Sequence, residues 1–261
     1  MRRLLETKLK FNKPLRHLMD YFRSYQLLDS TNLEASRLLV AGDAFHGMMI
    51  ITESQINGKG QYSNTWRAEP GKHLAMSIVL LPKSMEVSSL PHLSMKASLA
   101  IVRALRKIVP EVNAKIKWPN DIYTGDKKLA GILIENSIST GKVQHCIIGI
   151  GLNVNEVSFS GELPNALSLH LLTNKIFDIR NIATMIRDEV MNLVDSPDMV
   201  WKTEYDSHLY KLDTTQFFTI KDTGKKLQAT VKGVDDDGKL MLLSEEGDIL
   251  TFYSHELKWV L

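Results

Sequence analysis

Three polar stretches interrupt otherwise apolar segments, and each groups residue types able to hold charge or direct hydrogen bonds. Ser30-Thr31-Asn32 opens a helical pattern. Gln55 to Trp66 reads QINGKGQYSNTW, where closely spaced Gly58 and Gly60 let backbone N–H groups approach an anion and Lys59 supplies charge. Lys117-Trp118-Pro119-Asn120-Asp121 is followed by Lys128-Leu129-Ala130-Gly131-Ile132. An Asn-Asp pair at a strand end suits magnesium, which takes one or two carboxylates and keeps water and phosphate oxygens. Lys128, at the start of an apolar strand, can turn its ammonium into a pocket. Each stretch alone also has a plainer account. Ser30-Thr31-Asn32 is helix capping, Pro119-Asn120-Asp121 a turn, and Lys128 a lysine snorkelling to the surface. For a bare Gly-Lys-Gly a solvated loop is the better account, and Trp66 is a packing anchor at the loop's end.

Familiar alternatives fail on the residues. Gly58-Lys59-Gly60 and Gly149-Ile150-Gly151 each begin a GxGxxG string, but the sixth positions are Ser63 and Val154. There is no GxxxxGK[ST], no GxSxG and no HxxxH-type pair among the eight histidines. Cys146, the lone cysteine, sits in an apolar run, so a disulfide framework and a cysteine zinc site are excluded and a reducing, cytoplasmic setting is expected. The 261 residues are 44% hydrophobic and 24% charged, enough to bury a core, and no apolar stretch is long enough to span a bilayer. Net charge is +2, but residues 1–25 carry +5 and the rest −3. A body of that sign argues against nucleic-acid binding. The basic leader lacks the apolar core of a signal peptide and reads as an extra amphipathic helix or an early translation start.

The elements that would position these residues follow from punctuation and period. A helix from Ser30 to about Leu39 should end at Gly42, with Ser, Thr and Asn side chains satisfying its first N–H groups. His46–Thr52, His73–Leu81, Ala114–Trp118 and Gln144–Asn153 read as strands, and Ile122–Tyr123 with Lys128–Glu135 as a hairpin turned at Thr124-Gly125-Asp126. Residues 53–72 form a long loop. Leu93–Ile108, Ile179–Val194 and Asp198–Leu209 have helical spacing. After Asp213, Phe217–Ile220, Leu227–Val234, Lys239–Leu243 and Asp248–Tyr253 are short strands of a module too small to stand firmly alone.

Together the motifs resemble the catalytic half of the biotin–protein ligases. The resemblance runs from Leu28 to the C-terminus through LDSTN (28–32), TESQINGKGQYSNTW (52–66), KWPNDIY (117–123), KLAGILIE (128–135), IGIGLNVN (148–155) and GVDDDGKLML (233–242). The KWPND, KLAGILIE and GIGLNVN set, in this order, is the specific part. The implied fold is α+β: a mixed β-sheet flanked by helices, as in class II synthetase-like domains, plus a small C-terminal SH3-like β-barrel. The implied division is 1–27 as an extension, 28–213 as catalytic domain and 214–261 as the barrel. The implied reaction activates biotin with ATP to biotinyl-5′-AMP and passes biotin to a lysine of a biotin carboxyl carrier domain.

By position, the resemblance implies that Ser30, Thr31, Asn32 and Gln55 bind biotin's ureido ring. Lys59, Gly60 and Gln61 close over biotin and the adenylate, and Lys128 is the cation between biotin's carboxylate and the α-phosphate. Asp121 resembles the magnesium-associated carboxylate, Asn120 and Asn153 nucleotide contacts, and Trp66 a wall of the loop. Two departures stand out. Many members carry GRGR where this chain has Gly58-Lys59-Gly60-Gln61, so one guanidinium clamp is lost and looser retention of biotinyl-AMP is expected. Only 27 residues precede Leu28, with no helix-turn-helix pattern, so the monofunctional class without DNA binding is expected. A lipoate- or octanoate-type ligase and an idle biotin-binding module are the competing readings. Monomer and homodimer both stay open.

Overall fold

The computed structural model describes residues 21–61, 65–66, 69–161, 163–196 and 198–260. The basic leader up to residue 20 lies outside these, as do Tyr62, Ser63 and Asn64 of the loop string. Strands β1 (Phe22–Leu28), β2 (Met48–Gln55), β3 (His73–Leu80), β4 (Lys115–Lys117), β5 (Asp121–Thr124), β6 (Lys127–Ser139) and β7 (Lys142–Asn153) form one sheet. Its order is β1-β2-β3-β7-β6-β5-β4. Only β1 and β2 are parallel, and helix α1 (Thr31–Ala41) is the crossover that a parallel pair requires. β3 is an inner strand, beside the central β7, and all eight of its residues are buried. An unbroken apolar run is what a strand needs when both faces are covered.

The two faces are covered differently. Ala35 of α1 packs with Met48, Ile50, Val79 and Ile147 on one face. The other face builds the larger core under helices α2 (Leu90–Ile108) and α4 (Ile179–Val194). Helix α4 buries Ile182, Ala183, Ile186, Val190 and Leu193, the stripe its spacing predicts. Short helix α3 (Leu169–Thr173) and helix α5 (Asp198–Ser207) complete the helical layer. The C-terminal part is a five-stranded antiparallel sheet of β8 (Thr215–Ile220), β9 (Lys226–Val234), β10 (Leu240–Ser244), β11 (Ile249–Phe252) and β12 (Leu257–Trp259), in the order β11-β10-β9-β8-β12. Its interior residues Phe218, Val231, Leu240 and Leu257 belong to the same apolar cluster as Trp118 and Leu209. The small sheet therefore shares a core with the large one.

Four local expectations change. The end of the expected leader is strand β1, paired along its length with β2, so a division after residue 27 falls inside an edge strand. β12 and α3 were not foreseen from the sequence: three to five residues are too few to show a period. β6 and β7 run on to meet at Thr140-Gly141, both with positive φ, the conformation of a tight hairpin turn. Ser30 does stand at the N-cap of α1, but its side chain caps nothing. The Thr31 N–H instead donates to Oε1 of Gln55 at 2.9 Å.

The large sheet and the C-terminal sheet meet closely at Gly238, in the turn before β10. Its φ is +79°, and a Cβ there would lie 2.7 Å from Cβ of Pro91 in α2. Gly238→Ala should cost about 2 kcal/mol from the left-handed backbone alone, and the contact with Pro91 adds to it. A urea midpoint equal to the parent's would refute this.

Candidate functional site

The site lies on the α1 face of the sheet, where the helix stops short. β6 and β7 carry Gly131, Gly149 and Gly151 on this face, with Gly131 paired to Gly151 and Gly149 to Leu133 and Ser77. Without side chains they leave a trough floored by backbone. A Cβ on Gly151 would sit 2.4 Å from Cε2 of Trp66, and one on Gly149 would sit 2.5 Å from Oδ1 of Asn32. The result is a cavity of about 200 Å³. Ser30, Thr31, Asn32, Gln55, Lys59, Gly60, Gln61, Trp66, Asn120, Asp121 and Lys128 all line it.

The four residues at the inner end divide into two kinds. Ser77, buried in β3, donates its one hydroxyl proton to Oδ1 of Asn32 (2.6 Å) and accepts from the Thr31 hydroxyl (2.7 Å). Nδ2 of Asn32 donates to Glu135 at 2.6 Å. Thr31 and Asn32 thus spend much of their bonding capacity inside the protein. Gln55 gives its Oε1 to the Thr31 N–H, which orients its Nε2 as a donor, and Ser30 keeps an uncapping hydroxyl. An acceptor carbonyl flanked by N–H donors matches that pair. The start of α1 adds the positive end of a helix dipole.

The outer end carries charge. Nζ of Lys128 lies 2.6 Å from Oδ1 of Asp121, across the β5–β6 hairpin. Lys128 is fixed through its backbone: its N–H donates to the Asn165 carbonyl, and its carbonyl accepts from the Leu167 N–H. Nζ also lies 5.9 Å from the Trp66 ring centroid. Asn120 donates from Nδ2 to the Ile132 carbonyl at 2.8 Å, tying the strand turn to β6. Nearby, burial pushes the Tyr123 phenol up to about 12, with the Asp121 charge adding to it. Burial lowers the Lys117 pKa, while Asp121 raises it and Lys128 lowers it. Among the described residues no three His, Cys, Asp or Glu side chains cluster as a metal cage. Among the described residues Asp121 is the one carboxylate lining the cavity, which fits a magnesium ion arriving with phosphate oxygens of its own.

Asn153 is the expected residue that the structure does not bring to the cavity. It is buried and donates to the Leu167 carbonyl at 3.1 Å, in the segment that pins Lys128. Ser77 and Glu135 were missed. A lone serine in the run HLAMSIVL was a signal, since a strand buried on both faces keeps a hydroxyl only where a partner waits. Glu135 closes the KLAGILIE string and carried no such mark. Because the Trp66 ring rests on the Gly131–Gly151 strip, Gly151→Ala should shift tryptophan emission to longer wavelength in the parent. In a Trp66→Phe background the same change should leave the emission spectrum unmoved.

The sequence profile of the Biotin/lipoate A/B protein ligase family matches residues 26–153. The bifunctional ligase/repressor BirA of Bacillus spizizenii is 27% identical over 267 residues, covering 98% of this chain and 79% of its own. The biotin–[acetyl-CoA-carboxylase] ligase of Paracoccus denitrificans is 36% identical over 129 residues, 48% of this chain and 51% of its own. Among solved structures, the biotin protein ligase from Aquifex aeolicus in complex with biotin and ATP superposes with a TM-score of 0.74 at 25% identity, covering 92% of this chain and 99% of that one. The likeness to that enzyme extends over both sheets, and the chain belongs to the biotin/lipoate protein ligase family, among its biotin protein ligases.

Proposed function

We propose that the chain is a biotin–[acetyl-CoA-carboxylase] ligase that makes biotinyl-5′-AMP and transfers biotin to a lysine of a carrier domain. The observation that carries the reading is a cavity with a neutral donor–acceptor end and a cationic end. Gln55 donates to the ureido carbonyl, and Ser30 accepts from a ureido N–H, while Thr31 and Asn32 hold the wall. Biotin's carboxylate then lies toward Lys128, where ATP presents its α-phosphate. A carboxylate oxygen attacks the α-phosphorus, the bond to the bridging oxygen breaks, and pyrophosphate leaves. Lys128 offsets the negative charge that two anions bring together, and Asp121 holds its ammonium in place.

No nucleophilic side chain is needed, since substrate supplies the nucleophile in both half-reactions. In the second, the carrier's lysine amine attacks the biotinyl carbonyl, AMP leaves, and the amine's proton passes to solvent. Magnesium, when bound, neutralises phosphate charge, and Asp121 is the residue to hold it. Lys59, Gly60, Gln61 and Trp66 cover the adenylate against water, with Asn120 beside the nucleotide.

Mass spectrometry after incubation with magnesium-ATP and biotin should show biotinyl-AMP, and Lys128→Ala should reduce it by about 100-fold or more. Lipoyl-AMP in its place would move the chain to the lipoate branch. Binding of biotin with no adenylate from either acid would make it a binding module. A second expectation concerns Gln61, whose neutral amide stands where a guanidinium would grip the adenylate. Gln61→Arg should slow release of biotinyl-AMP by about tenfold in a filter assay, the scale of one charge-assisted hydrogen bond. Release at the parent's rate would sink it.

A further inference from the structure

Lys117 is the first residue of the KWPND string but does not line the cavity. It is the direct cross-strand partner of Asp121 in the β4–β5 pair, so the two side chains leave the sheet on the same face. Its Nζ lies 4.9 Å from the ring centroid of Tyr123 and 5.5 Å from that of Trp259. One ring belongs to the hairpin that carries Asp121 and Lys128. The other belongs to β12, the last strand of the C-terminal sheet. A lysine ammonium between two aromatic faces is held by both ring quadrupoles, and more strongly where water is excluded.

The contacts around it are arranged to transmit position. Nε1 of Trp259 donates to the Trp118 carbonyl at 3.2 Å, next to Lys117 in the chain. Nε1 of Trp118 donates in turn to the Gly238 carbonyl at 2.9 Å, in the turn that joins β9 to β10 of the C-terminal sheet. At the far end of the hairpin, Oδ1 of Asp126 accepts from the Tyr210 hydroxyl at 2.6 Å. The Tyr210 ring lies 5.4 Å from Tyr123 and 5.7 Å from Trp259. The hairpin is therefore gripped at its tip by the segment leading to the C-terminal sheet, and at its base by Lys117 against that sheet's last strand.

We propose that Lys117 is a positioning residue: pinned by Trp259, it sets the Asp121 carboxylate that in turn orients Lys128, so that docking of the C-terminal sheet governs adenylation and not biotin binding. The inference rests on the ligase reading above and names what regulates that site. Among the described residues no hydrogen bond joins Lys117 to the ureido end of the cavity, and only Asn32, through Glu135, reaches β6 from there. Ser30, Thr31 and Gln55 are held by β2, β3 and α1, and both strands lie two or more positions from the hairpin. A fault at Lys117 should therefore appear in turnover and leave biotin affinity alone.

The test is steady-state pyrophosphate release by the full chain, with hydroxylamine added to consume the adenylate without a carrier. Lys117→Met should lower kcat by about 10- to 100-fold, the range for a misplaced reacting group, with the biotin KM within about twofold of the parent. Lys117→Arg, which keeps a cation over both rings, should recover most of the loss. Trp259→Ala should match Lys117→Met, Trp259→Phe should stay near the parent, and the Lys117→Met/Trp259→Ala pair should fall no further than the worse single variant. Parental kcat in Lys117→Met, a raised KM at unchanged kcat, or a double variant with multiplied losses would each overturn the proposal. Should Lys117→Met fail to fold, Trp259→Ala against Trp259→Phe decides by the same split, a lowered kcat at unchanged biotin KM in Trp259→Ala alone, since lost packing on Phe218 and Tyr210 would by itself show as lower stability. A parent chain that releases no pyrophosphate with biotin would instead overturn the ligase reading itself.

Discussion

The strip of Gly131, Gly149 and Gly151 is the constraint on which the site depends. A sheet covered on both faces has no room for a ligand unless side chains are removed somewhere, and here they are missing from neighbouring positions of β6 and β7. The space freed is narrow enough that the Trp66 ring and the Asn32 amide rest directly on backbone. Shortness of α1 completes the arrangement. It covers the β1–β3 side and ends with its first turn facing the trough, so the helix that closes one half of the face opens the other.

Around that trough, position is enforced by bonds that never touch a ligand. Ser77 and Glu135 hold the two ends of the Asn32 amide, Ser77 also fixes Thr31, and Gln55 takes the helix's first N–H. Asn153 holds the Leu167 segment, which brackets the backbone of Lys128. An enzyme whose nucleophiles are supplied by its substrates has only geometry and charge to contribute. Much of its polar chemistry is then spent on holding the few groups that face inward, and buried hydrogen bonds of this kind are costly to break because each leaves a partner unsatisfied.

The sequence made the architecture legible where period and punctuation were long enough. Ile179–Val194 is a helix with the ends its spacing predicts, and the hairpin turning at Gly125 brings Asp121 and Lys128 together as its geometry requires. What escaped was either short or decided by distant partners. β12 and α3 have too few residues to carry a pattern. β1 is an edge strand with no fully buried residue, so it shows no alternation of buried and exposed positions, and the composition just before it is basic. Ser30 looked like a cap because serine at a helix start usually is one. That role went to Gln55, 24 residues beyond Thr31, and no local rule anticipates an exchange of that kind.

The same distinction applies to Lys117, to which the sequence assigned no role, and to Asn153, which was expected beside the nucleotide. Both sit in strings that mark the cavity, yet neither lines it. A motif records which residues must be kept together, and that demand arises equally from touching a ligand and from holding the residue that does. In KWPND the two roles divide along one turn. Lys117 and Trp118 face the C-terminal sheet, while Asn120 and Asp121 face the cavity. The turn is therefore the place where the packing of one sheet and the chemistry of the other are joined, and a small domain with little core of its own acquires a part in catalysis by being the surface against which that turn is set.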